Sequence, residues 1–292
     1  TIYQWTGKTL SLVASYAIAT TGIAVLAPWN GSTARLVTLY GTGANCTALV
    51  LVFNGTTLTL ESTNSLPVGF YYYYIFVAAL SATRIACING NSSTTSNDDL
   101  LYVFDYDTTA KTWAQVGTAY SVPVHYITGL ATLSTTDVVV ITGTNGNNNT
   151  VIRLTFNGSV WSQVGVAYNL YNNHQFNGFA GIELYKNETI LVSNMTSTIP
   201  QKLIALQWDT LNQKWIPVSP VMQRVLSETN YSSFGYGNGL LFWAEITNST
   251  IYPYIFPAGS LSTNYSGVAA GGTTLCNAVL GNSFLGSVKK IQ

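Results

Sequence analysis

Three short stretches gather the side chains of this chain that could hold a ligand: Tyr120, His125 and Tyr126; Tyr168, Tyr171 and His174; and Arg224, Tyr231 and Tyr236. Segments rich in amides and hydroxyls, 89–99 and 144–150, precede the first and the second of these stretches. Flat aromatic faces beside Asn, Asp and Thr groups suit a pyranose, which offers apolar C–H faces and a rim of hydroxyls. The same residues suit a protein contact, where Tyr and Arg anchors dominate. They also suit a purely packing role, wedging neighbouring sheets apart. Residue type alone leaves all three readings open.

Covalent chemistry is less well supplied. Glycoside hydrolysis needs two carboxylates in one pocket, one protonated and one ionised. Only Asp98, Asp99 and Glu228 fall in loops near the aromatic stretches. A sialidase needs three converging arginines, and Arg35, Arg84, Arg153 and Arg224 occupy different strand positions. His125 and His174 are the only histidines, too few to expect a metal site. Ser96-Asn97-Asp98-Asp99 has oxygens for Ca²⁺ but lacks the spacing of a calcium loop. No nucleophile motif, phosphate loop or dinucleotide fingerprint is present, so a non-catalytic protein with no cofactor is expected.

Composition bounds the partners and the setting. The 292 residues carry a formal net charge of zero, 8% are charged and 47% are hydrophobic. This gives no electrostatic basis for binding nucleic acid, and no apolar run is long enough for membrane insertion. Eleven Asn-x-Ser/Thr acceptor triplets begin at Asn30, Asn45, Asn54, Asn91, Asn148, Asn157, Asn187, Asn194, Asn230, Asn248 and Asn264. Chance predicts roughly five. The excess points to a glycosylated, extracellular protein, although an Asn/Thr-rich coat also generates triplets passively. Thr1 reads as a processed or excised start. Cys46, Cys87 and Cys276 are too few for a disulfide scaffold. Cys87 reads as a buried thiol, and a Cys46–Cys276 bridge is open.

The elements that must position these residues come from a repeat. An aromatic ends an apolar strand, a tight turn follows, and Trp or Leu opens the next strand. The leading aromatics are Trp5, Phe53, Phe104, Phe156, Trp208 and Phe256. Short strands repeated at this period predict a β-propeller. The expected fold is all-β: six four-stranded blades, at about 20–68, 69–123, 124–171, 172–225 and 226–269. The sixth combines 1–19 with 270–292 and closes the ring by pairing the two ends. No segment has helical periodicity. Arg35, Arg84, Asp137 and Glu188 align at the start of successive second strands, predicting ion pairs between blades, such as Arg84 with Asp137.

The aromatic-Asp, turn and Trp of Phe104-Asp105 to Trp113, and of Trp208-Asp209 to Trp215, are similar to kelch repeats. Gly90 before a third strand also fits. The paired glycines of kelch proteins are absent, with Ser193-Asn194 at that place in the fifth repeat. Gln115-Val116-Gly117 and Gln163-Val164-Gly165 resemble repeats in phage and bacterial surface proteins. The resemblance covers three of six repeats well and implies a propeller, a fold that hosts many functions. The combined expectation is an extracellular binding module, a virion or cell-surface attachment protein recognising glycans through Tyr120, His125, Tyr126, Tyr168, Tyr171, His174, Arg224 and Tyr231. The alternatives are a glycosylated coat or appendage subunit, packing against its own copies or another surface protein, and a secreted glycosidase.

Overall fold

The computed structural model describes residues 2–5, 10–17, 25–29, 34–42, 45–66, 74–90, 99–123, 127–142, 149–174, 180–186, 188–194, 201–219, 221–224, 232–237, 240–245, 250–255, 260–261, 265–266, 278–280 and 283–285. The chain opens with β1 (Ile2–Trp5) and β2 (Leu10–Ala14). A first complete sheet follows from β3 (Val25–Trp29), β4 (Ala34–Thr42), β5 (Asn45–Phe53) and β6 (Leu58–Leu66). The next contains β7 (Tyr74–Ala79), β8 (Arg84–Gly90), β9 (Leu100–Asp107), β10 (Thr112–Gln115) and β11 (Tyr120–Ser121). Then come β12 (Ile127–Thr132), β13 (Asp137–Thr142), β14 (Thr150–Phe156) and β15 (Trp161–Asn169), and the single helical turn α1 (Leu170–His174). They are followed by β16 (Ala180–Lys186), β17 (Thr189–Asn194), β18 (Gln201–Asp209), β19 (Lys214–Pro217) and β20 (Met222–Arg224). The last full sheet holds β21 (Ser232–Gly237), β22 (Leu240–Glu245), β23 (Thr250–Ile255), β24 (Ser260–Leu261) and β25 (Tyr265–Ser266). The chain closes with β26 (Ala278–Leu280) and β27 (Ser283–Leu285).

Among the described residues the protein is all-β apart from α1, whose turn is capped by the Asn169 Oδ1 accepting the Asn172 N–H at 2.8 Å. Sequence periodicity could not reveal a helix this short. Pairing within each sheet is antiparallel and runs between consecutive strands, except that β11, β20 and β25 pair with β9, β18 and β23, and β27 with β1. One parallel bridge, Val166↔Lys214, joins the outer strands β15 and β19 and merges two sheets into one hydrogen-bonded unit. The two ends of the chain share a sheet, with Ile2↔Leu285, Tyr3↔Phe284 and Gln4↔Ser283. The first strands touch in the order β3, β7, β12, β16, β21, β26 and back to β3.

Burial follows from face-to-face packing of these sheets. Second strands are covered on both faces, so Ile85–Ile88 and Val138–Thr142 are buried without alternation. Outer strands alternate, as in β10, where only Trp113 is sheltered. Each core layer interleaves two sheets: Val37, Leu39, Cys46 and Val50 meet Ile85, Cys87, Phe104 and Tyr106, and Val138, Val140 and Leu154 meet Ala86, Ile88 and Val103. Cys46 is a buried free thiol that burial pushes up to about 12, and burial also raises the buried Cys87 thiol well above its ordinary value. Cys276 lies outside the described residues.

The hairpins at one end of the sheets show why the repeat exists. Asn54, Asp107, Asn157 and Asp209 hold the same place, and each carboxamide or carboxylate Oδ1 accepts two backbone N–H groups of its own turn. The preceding aromatic packs on the Trp that opens the outer strand. Ring centroids are 4.8 Å apart for Tyr106–Trp113, 5.0 Å for Phe156–Trp161 and 5.2 Å for Trp208–Trp215. The repeat's aromatic in the β7–β11 sheet is therefore Tyr106, and the sequence reading of Phe104 is two residues early. Cα pairing fixes this, since Trp113 faces Tyr106 while Phe104 faces Gln115.

Successive sheets are clasped in one direction. The Thr118 N–H donates to the Ser159 carbonyl at 2.9 Å and the Val166 N–H to the Gln213 carbonyl at 3.0 Å. The Asn64 Nδ2 donates to the Lys111 carbonyl at 2.9 Å. In each case the outer strand of one sheet grips the hairpin of the next. Gly117 and Gly165 make the first two clasps possible. Their φ values are +69° and +64°, and a Cβ on either would lie 2.1 Å and 2.0 Å from the gripped carbonyl oxygens.

Ion pairs reinforce the same joints with a different pairing from the one expected. Arg84 binds Asp105 of its own sheet in bidentate fashion at 2.6 and 2.7 Å, so it does not reach Asp137. The crossings between sheets are Arg153 to Glu188 and Lys111 to Glu61. Thr189, and not Glu188, stands in register with Arg84 and Asp137, because each pairs with the residue before the repeat aromatic. Glu188 sits one place earlier, in a turn at φ 59°.

Burial alone would raise the Glu61 carboxyl, but hydrogen bonds from Arg35 and Lys111, and their charges, outweigh it and hold it below its ordinary value. A carboxylate so lowered stabilises the fold above the unfolded value of about 4.3, and that stability is lost as pH falls through the folded value. Glu61→Gln is thus expected to melt lower than the parent at neutral pH and to converge with it as pH falls below the folded value of Glu61, as read by thermal midpoints across pH. A gap that persists in acid would show that Glu61 acts through packing alone.

Candidate ligand-binding face

Tyr120, Tyr168 and Arg224 lie at the strand ends opposite the capped hairpins, whereas Tyr236, paired with Leu241 beside the β21–β22 turn, lies at the hairpin end and does not join them. Tyr120 pairs with Leu101 and Tyr168 with Val151. Leu101 and Val151 each stand five residues before the repeat aromatic, so Tyr120 and Tyr168 hold equivalent places on adjacent sheets. In the following sheet that place is taken by Met222, opposite Leu203. Arg224 lies two residues further, opposite Gln201, where its counterparts are the buried Val122 and Leu170. Tyr171 and His174 sit on α1, directly after Tyr168. His125, Tyr126 and Tyr231 lie outside the described residues.

Both described tyrosines are half-buried. Tyr120 packs on the apolar layer between the β7–β11 and β12–β15 sheets, and Tyr168 on the next layer, toward β16–β20. Burial raises both phenols above their ordinary value, and a hydrogen bond with the Asn173 side chain partly offsets this at Tyr168. Each ring thus packs against the apolar layer between two sheets, the arrangement the packing reading expects.

Beneath this layer sit enclosed polar groups. Asp99 and Asn149 hold equivalent positions, are 1% and 2% exposed, and accept the Val122 and Leu170 N–H groups on their carbonyls. Ser193 and Lys202 are also buried. The Thr142 hydroxyl is enclosed without a hydrogen-bond partner. Asp99 is closed to solvent, a poor position for an acid or base that must meet a substrate. Asp98 and Glu228 are outside the described residues. No group of three or more His, Cys, Asp or Glu side chains gathers among the described residues.

The sequence reading included Asn149 only as part of the segment 144–150 and missed Asn173. Asn149 becomes visible once the repeats are aligned on Tyr106, because it then matches Asp99. Nothing in the sequence marks Asn173, whose contact with Tyr168 depends on α1. Of the acceptor triplets, Asn54 and Asn157 stand exposed in hairpins, while Asn45 and Asn194 lie within the ladders of β5 and β17. Asn30, Asn91, Asn148, Asn187, Asn230, Asn248 and Asn264 are outside the described residues.

No family model and no curated protein matches this chain. Solved structures do. The Aleuria aurantia lectin in complex with α-methyl-L-fucoside is 12% identical over 85% of this chain and 80% of its own, with a TM-score of 0.53. The SapL1 lectin with α-methyl fucoside is 14% identical over 86% and 84%, also at 0.53. A structure from a nidogen/laminin complex is 10% identical over 91% and 92%, at 0.55. At such identities the likeness shows the fold, and the fold is a β-propeller.

Proposed function

We propose that this protein is a six-bladed propeller that binds glycans without covalent chemistry through the face bearing Tyr120 and Tyr168. One observation carries the reading: two tyrosines at equivalent places on adjacent sheets, each with its ring packed against the apolar layer between two sheets. Asn173, whose side chain hydrogen-bonds Tyr168, adds an amide to that face, and Tyr171 and His174 share α1 with it. Rings fixed by packing lose little freedom when a sugar stacks on them. The cyclic contacts of β3, β7, β12, β16, β21 and β26 support six blades. The Aleuria aurantia lectin, which recognises fucose, is itself a six-bladed β-propeller. The eleven acceptor triplets support an extracellular setting on a virion or cell surface, where a kelch-like attachment module would act.

The test is a glycan array with the parent protein, Tyr120→Ala/Tyr168→Ala and Tyr120→Phe/Tyr168→Phe, each checked for an intact thermal transition. The parent is expected to bind at least one fucosylated or other neutral glycan. The alanine pair should lose at least tenfold in affinity, about 1.4 kcal/mol, and the phenylalanine pair should lose less because the ring remains. A blank array with the fold intact overturns the reading. A subunit that packs against protein would then be favoured by Leu211 and Val166, 90% and 68% exposed on the outer rim.

A further inference from the structure

Among the described residues four hairpins share one Asx-capped turn, and the choice between Asn and Asp within it is informative. Asp107 and Asp209 close the turn in two sheets with a carboxylate. Asn54 and Asn157 close it in the other two with the carboxamide oxygen, at 2.9–3.0 Å from the backbone N–H groups of Thr56, Thr57, Ser159 and Val160. The turn itself therefore does not require an amide nitrogen. Both asparagines nonetheless begin an acceptor triplet, Asn54-Gly55-Thr56 and Asn157-Gly158-Ser159. In the first, the Thr56 hydroxyl also donates to the Asn54 Oδ1 at 3.2 Å.

The surroundings suit a bulky substituent. Both asparagines are exposed, and Gly55 and Gly158 have φ values of +102° and +96° with open space where a Cβ would project. The Oδ1 faces into the turn, and the Nδ2 donates to no acceptor among the described residues. Val151, opposite Tyr168, and Phe156, beside Asn157, are five residues apart in β14, or about 17 Å along the strand. The hairpin end and the tyrosine end are thus well separated.

We propose that Asn54 and Asn157 are N-glycan acceptors, so that sugar covers the hairpin rim. The donor class is a lipid-linked oligosaccharide phosphate. The Asn Nδ2–C1 bond forms, the C1–O bond to phosphate breaks, the lipid phosphate leaves with the electron pair, and the amide nitrogen releases a proton. The inference rests on the hairpins alone and stands apart from what the opposite face binds.

The test is glycopeptide mass spectrometry on protein produced in its source organism, compared with Asn54→Asp/Asn157→Asp and with Thr56→Ala/Ser159→Ala. The Asp variant keeps the capping oxygen, as Asp107 and Asp209 do. Made in a host without N-glycosylation, it should melt with the parent. In source-produced protein, peptides spanning residues 54 and 157 should carry saccharide mass that both variants lose. Unmodified parent peptides would overturn the proposal, and so would mass that persists after Thr56 and Ser159 lose their hydroxyls.

Discussion

Gly165→Ala is expected to destabilise the protein by about 3–5 kcal/mol, while Gly158→Ala costs about 1–2 kcal/mol. Both glycines adopt positive φ, at +64° and +96°, so both substitutions carry the conformational cost of a left-handed alanine. They differ in surroundings. A Cβ at Gly158 meets nothing within 4 Å, whereas one at Gly165 lies 2.0 Å from the Gln213 carbonyl oxygen. That oxygen accepts the Val166 N–H at 3.0 Å, so relieving the clash breaks the clasp. Urea unfolding of the two variants beside the parent separates the contributions. Equal losses would mean that the joint between β15 and the following hairpin yields freely, and that the glycine is needed only for its dihedral angles.

Arg153→Met should cost about 2–4 kcal/mol, well above the 0–1 kcal/mol or so expected for Arg84→Met. Arg153 is 11% exposed and bridges two sheets, donating to Glu188 at 2.7 Å and Asp137 at 3.2 Å. Its guanidinium also lies 4.9 Å from the Trp208 ring centroid. Removing it leaves Asp137, itself only 17% exposed, without its cation. The enclosed Arg153 Nε has no acceptor, which offsets part of the gain and keeps the expected loss below that of a fully satisfied buried pair. Arg84 and Asp105 are 30% and 40% exposed within one sheet, where water and salt screen them. Similar losses in the two variants would refute an inter-sheet role for Arg153.

Much of the architecture was legible because the repeat is chemical as well as numerical. An aromatic, an Asx cap and an apolar strand opener each do one job in the hairpin, so their order survives changes of identity. Register was less legible. Phe104 and Tyr106 are both aromatic and point to the same face of β9, since side chains alternate with a period of two. Pattern alone cannot choose between them, whereas the Trp113 pairing does. Glu188 was misaligned because an irregularity between Leu184 and Lys186 displaces the turn relative to its counterparts. The ion pairs failed for a related reason. Similar strand positions say which residues are level, but not whether the nearest opposite charge lies across the hairpin or across the joint. On the tyrosine face, the sequence supplied the side-chain types. It could not tell that Tyr120 and Tyr168 commit their rings to the apolar layers.

The clasp joins unlike surfaces: a glycine corner or an asparagine on one sheet, a hairpin carbonyl on the next. In an oligomer this would be a head-to-tail interface, the kind that closes into a ring when its rotation suits and otherwise runs on as a filament. Here a single chain carries the repeated subunits. A lesion in one hairpin accordingly loosens the joint behind it and spares the one ahead, which depends on a different part of that sheet. Damage stays local, although the contacts that suffer it recur from sheet to sheet.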